Sequence, residues 1–151
     1  MKKFLLVLVA ILLMVGLTGC GEKNVEGSLE EIMDKVYASI PEDERPMMLM
    51  NVELTEENVE MYLGTADVEF EEALASESAT GSIAHSVVLV RVKDNANVEV
   101  IKEKIENSVD PRKWICVEAD EVEVESKGNL IILIMSSESN AEKIETEFNK
   151  L

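Results

Sequence analysis

A chain of 151 residues with 31 acidic and 14 basic side chains carries a formal charge of −17, so phosphate backbones and anionic lipid headgroups repel its surface. That balance excludes nucleic-acid binding and membrane attachment through the folded surface. One histidine and two cysteines also fall short of an ordinary zinc site or a disulfide framework.

Lys2 and Lys3 precede an unbroken apolar run over residues 4–15, which is short for a bilayer span, and then comes Leu17-Thr18-Gly19-Cys20. A positive start, an apolar stretch and small residues before a cysteine predict a signal peptide over residues 1–19. The order resembles the lipobox of bacterial lipoproteins, which implies diacylglycerol on Cys20 and an anchor at the outer face of the cytoplasmic membrane. An ordinary secretory signal, or an uncleaved anchor with an incidental cysteine, is the alternative. Loss of Lys2 and Lys3 would take the charge from −17 to −19. Residues 20–27 are expected to form a short disordered tether, of which residues 21–27 reach about 25 Å when extended. Residues 28–151 have the length of a single domain, too short for a two-lobed solute-binding lipoprotein. With Cys20 committed to lipid, Cys116 has no partner for an internal disulfide.

Ser28-x-x-Glu31 has the form of a capping box, opening a helix with Leu29, Ile32, Val36 and Ile40 on one face and Pro41 as its stop. Residues 47–52 read as a short apolar strand. Thr55 opens a second short helix that Gly64 ends. The alternation of Val68, Phe70, Glu72 and Leu74 favours a strand, although a helix face fits part of it. Thr80-Gly81-Ser82 turns into a strand over residues 83–92, where residues 87–90 are apolar on both faces, as in a central strand. Asn97 caps a helix that turns Val98, Ile101, Ile105 and Val109 inward. Residues 114–117 are expected to start a strand, and residues 121–125 alternate glutamate with valine. After a turn at residues 126–129, residues 130–135 return as an apolar strand. Ser139-x-x-Glu142 predicts the cap of a last helix with Ala141, Ile144 and Phe148 inward. The sum is an α+β fold, an antiparallel sheet of about four strands with helices packed on one face.

Several stretches resemble a family of small Gram-positive lipoproteins known as domain of unknown function four-three-five-eight. They are residues 46–50 (Pro-Met-Met-Leu-Met), residues 62–64 (Tyr-Leu-Gly), Ser82-Ile83-Ala84-His85-Ser86 with the valines behind it, and residues 110–116, which run from Asp110 to Cys116. With the lipobox they cover most of the chain. The resemblance implies a surface lipoprotein and no assigned activity, so it carries over no catalytic or ligand-binding residue.

No Gly-x-Ser-x-Gly elbow accompanies His85, and a Cys116–His85 dyad competes with the expectation that both are core residues. Carboxylate pairs are too numerous here to mark a glycosidase. With Phe4 in the leader, one Trp, two Tyr and two Phe remain for a sugar platform. Residues 46–90 hold nine acids and no Lys or Arg, and Glu118, Asp120, Glu121, Glu123 and Glu125 form a second acidic group. Calcium is one reading of these clusters and a solvated acidic face the other. Met47, Met48, Met50 and Met61 could ligate copper(I), fill core gaps, or line a groove for a partner. Arg112, Lys113 and Trp114 depart from the acidic background and form the candidate interaction corner, against a helix end followed by a core tryptophan. No catalytic residue, metal ligand or cofactor is assigned. The expectation is a non-enzymatic binding module of the cell envelope, reaching the membrane through Cys20 and facing an envelope protein. A small-ligand or cation carrier and an envelope hydrolase are the alternatives.

Overall fold

The computed structural model describes residues 23–151, so the expectations about the signal peptide and Cys20 lie outside the described residues. Helix α1 (Leu29–Val36) begins on the capping box foreseen in the sequence. Ser28 Oγ accepts from the Glu31 amide at 3.2 Å, and the Glu31 carboxylate accepts from the Ser28 amide at 3.4 Å. The helix stops at Val36, but its apolar face continues through Tyr37 and Ile40, both buried. Arg45 closes this end by donating to the carbonyls of Ile40 and Tyr37, each at 3.1 Å.

Strand β1 (Leu49–Glu53) follows, then helix α2 (Val59–Leu63). Gly64 ends α2 in the left-handed region at φ 73°, and a Cβ there would collide with the Ser108 carbonyl. Strands β2 (Phe70–Ser78) and β3 (Ser86–Val92) form a hairpin, with β3 starting three residues later than the sequence suggests. Helix α3 (Val98–Glu106) is capped by Asn97, whose Oδ1 accepts from the Val100 amide at 3.2 Å. Strands β4 (Glu121–Lys127) and β5 (Leu130–Ser136) meet at a two-residue turn whose first position, Gly128, has φ 57°. Helix α4 (Glu138–Phe148) starts after Ser137, which makes no side-chain cap bond. Ser139, the expected cap, falls inside the first turn instead.

Among the described residues five strands pair antiparallel throughout in the order β1-β2-β3-β5-β4. The sequence suggested about four strands with helices on one face, and the structure corrects both points. Every residue of β5, and all of β3 except Arg91, is buried, so the middle of the sheet presents apolar side chains in both directions. Both faces therefore need covering. On one, α1 and α4 bury Leu29, Ile32, Ile144 and Phe148 against Val87, Leu89, Ile132 and Ile134. On the other, α2 and α3 bury Val59, Leu63, Ile101 and Ile105 against Val88, Val90, Ile131 and Leu133. The result is a sheet between two helical layers.

Two further expectations fail. Residues 114–117 form no strand, because the segment folds back on itself through the Ala119 amide and the Pro111 carbonyl at 3.0 Å. Residues 23–27 lie against the domain, not free of it. Arg91 on β3 donates to the carbonyls of Val25 at 2.5 Å and Gly27 at 2.6 Å, and Val25 packs against the α1/α4 core. A Cβ on Gly128 would meet the backbone of Lys23 and Asn24. The N-terminal segment is thus fixed beside the β4–β5 turn. Among the described residues no helix is long and apolar enough to cross a membrane.

Candidate functional site

His85 immediately precedes β3 and is fully buried. Tyr37 Oη lies 2.7 Å from its Nε2 and Ser136 Oγ lies 2.7 Å from its Nδ1, so both ring nitrogens are engaged. Burial lowers the imidazole to about 4 and pushes the Tyr37 hydroxyl above its usual value. A neutral ring between two hydroxyls cross-links α1, β3 and β5, out of reach of any substrate. Cys116, expected in the core, is exposed instead. With both nitrogens of His85 occupied inside, the cysteine–histidine dyad does not form.

Of the expected interaction corner, the structure turns two residues inward and leaves one outside. Arg112 Nε pairs with Glu118 Oε2 at 2.7 Å across the loop, well exposed. Lys113 reaches back to the sheet. Its Nζ sits 2.7 Å from Glu77 Oε2 on β2 and 3.2 Å from Ser86 Oγ on β3, and Ser86 donates to the same carboxylate at 3.1 Å. The ammonium also lies 5.0 Å from the centre of the Tyr62 ring and 5.2 Å from that of Trp114. Burial lowers the Lys113 pKa while Glu77 pulls it back up. Tyr62 is raised, first by burial and then by the Glu77 charge. Trp114 is buried with its Nε1 unpaired. Ser86 is fully buried, so this lysine–serine contact is a strut and offers no nucleophile to solvent.

Beside this strut lies a feature that the sequence offered only as one of three uses. Met47, Met48, Met50 and Met61 are 67%, 65%, 55% and 71% exposed, and they account for four of the six exposed large apolar side chains among the described residues. Met47 and Met48 lead into β1, Met50 lies on it, and Met61 lies on α2 next to Tyr62. Met48 has φ 56°, unusual for a side chain of this kind. The hairpin holds it there: the Met48 carbonyl accepts from the Ala79 amide at 3.0 Å, and the Met47 carbonyl accepts from Ser78 Oγ at 2.8 Å. Met50, Val52, Tyr62 and Glu77 line a shallow recess between them. The strand order that opens this edge was not readable from local pattern.

The acidic groups remain spread out. No set of three or more His, Cys, Asp or Glu side chains among the described residues is placed to hold a metal ion. On β4, the Glu123 carboxyl is pushed up by burial and then by Glu145, Glu121 and Glu125. No protein-family model, curated protein or solved structure matches this chain.

Proposed function

We propose that the protein is an exported, lipid-anchored, non-enzymatic binding module of the cell envelope, docking its partner on the methionine-lined edge at β1. The observation that carries this reading is the concentration of exposed apolar area there, in a fold that buries most of its other large apolar residues. Exposed apolar patches of this kind mark contact surfaces, and methionine adapts its shape to what it meets. The export half of the reading rests on Leu17-Thr18-Gly19-Cys20 behind its charged and apolar leader, and on the likeness to small Gram-positive lipoproteins. Placement supports it too. The N-terminal segment is held beside the β4–β5 turn, whereas Met47 and Met48 sit by Ser78 at the opposite end of the sheet. A chain tethered through residues 20–23 would turn the methionine edge away from the membrane.

Two measurements on intact cells test this. Labelled palmitate fed to the cells should enter the parent protein and not Cys20→Ser, which lacks the acceptor thiol. Photo-crosslinkers placed at Met50 and Met61 should trap a discrete adduct that one at Glu142, exposed on α4, does not. Equal labelling from all three positions, or none, would refute the docking face. Palmitate label in Cys20→Ser equal to that in the parent, or none in either, would refute the anchor.

A further inference from the structure

The two open edges of the sheet are built differently. On β4 the sequence alternates Glu121, Glu123, Glu125 and Lys127, charges that deter another strand from pairing. On β1 there is no proline, lysine or bulge, and the register with β2 is regular from Leu49↔Ser78 to Glu53↔Leu74. The ladder bonds at Met48 and Leu54 fix the alternation. Met50 and Val52 therefore turn their amide and carbonyl toward β2, and Leu49 and Asn51 turn theirs outward. The Glu53 carbonyl is taken by Asn58 Nδ2 at 3.2 Å, which sets where the open edge ends.

The exposed charges beside that edge are acidic, and the one cation at the recess, Lys113, is mostly buried and paired with Glu77. Glu53, Glu56, Glu57 and Glu60 are exposed and form no ion pair among the described residues. Residues 46–90 contain no Lys or Arg to balance them. A second copy of the chain is the wrong occupant, since β1-to-β1 pairing would bring two such rows together between strongly acidic domains.

We infer that the β1 edge receives an extended, cationic peptide segment as a sixth antiparallel or parallel strand. Its backbone bonds to the outward amides and carbonyls of Leu49 and Asn51. Its apolar side chains lie on Met50 and in the recess beside Tyr62, and its cations face Glu53, Glu56, Glu57 and Glu60. This inference rests on the docking face proposed above and adds the chemistry of the occupant.

The probe is a capped peptide of about ten residues alternating lysine and valine. It is titrated into the full chain held in detergent micelles. Hydrogen exchange at the Leu49 and Asn51 amides should slow about tenfold or more at saturation. A peptide with glutamate for lysine should give no protection, and neither should one N-methylated at alternate residues, which keeps charge and side chains but loses the bonding edge. Asn51→Pro removes an amide that β2 does not use, so the ladder survives and protection at Leu49 should disappear. Met50→Lys, on an exposed side chain, should weaken the complex without touching the core. Binding of the N-methylated peptide as tightly as its parent would overturn strand addition but leave the docking face standing. Absence of crosslinks at Met50 and Met61 would remove the face itself. No protection at any peptide concentration, or a dimer through β1 without peptide, would overturn the inference.

Discussion

Replacing His85 with glutamine should make the protein less sensitive to mild acid, and the size of the effect follows from the burial of the ring. In the folded chain burial lowers the imidazole to about 4, against 6.5 when free. A base whose folded pKa is depressed binds fewer protons folded than unfolded in this window, so its contribution is complete above 6.5 and is lost as pH falls toward 4. Between about pH 8 and about pH 5 this single group removes about 2 kcal/mol of stability. Carboxylates titrate in the same range, so the informative quantity is the difference between the parent and His85→Gln. At high pH the variant should be the weaker protein, having lost its bonds to Tyr37 Oη and Ser136 Oγ. That gap should narrow by about 2 kcal/mol at the lower pH. Urea unfolding followed by the fluorescence of Trp114, the only tryptophan and a buried one, gives both numbers. A gap that stays constant across the range would refute the account of a neutral, sealed imidazole.

Met48→Gly should raise stability by about 1 kcal/mol, because glycine takes the positive φ without the penalty a side chain incurs; urea midpoints decide it, and a loss of stability would show that the methionine side chain, not the backbone, holds the turn. Lys113→Met should cost about 1 to 3 kcal/mol by leaving Glu77 half-buried without its cation, while Lys113→Met combined with Glu77→Gln should recover most of that loss. Additive losses in the same unfolding assay would mean that the two side chains act independently.

How much of this was visible in the sequence follows from how local each signal is. The capping box at Ser28, the cap at Asn97, the stop at Gly64 and the glutamate–valine alternation of β4 depend on neighbours within a few residues, and each appears where expected. The apolar run over residues 87–90 pointed to a central strand. Its full consequence, helices on both faces, needed β5 beside it, a pairing that runs from Val87↔Ile134 to Val90↔Ile131, far apart in the chain. Residues 114–117 misled because an apolar cluster reads as a strand, yet Ile115 is 93% exposed and only Trp114 and, in part, Val117 pack on the core. Lys113 carried no local sign of its inward course, since its partner Glu77 lies 36 residues away in the chain. The methionines were visible as residues, whereas their exposure depended on β1 being an outermost strand. His85 was readable as a core residue, but its hydroxyl partners, 48 and 51 residues away, were not.

The clamp at Arg91 also decides how the domain meets force. A pull on the N-terminal segment reaches the guanidinium before it reaches α1, because the carbonyls of Val25 and Gly27 are held there. Arg91 belongs to β3, the middle strand, and its Nε is tied to Glu72 on β2 at 2.7 Å. Tension entering from residue 23 is therefore shared by the two strands at the heart of the sheet, whose paired backbones must yield together. Without that guanidinium, α1 would be the first element to peel away and would take Leu29, Ile32, Met33 and Val36 out of the core one turn at a time. One arginine thus ties the N-terminal segment to two neighbouring strands of the sheet, where it would otherwise be a loose end.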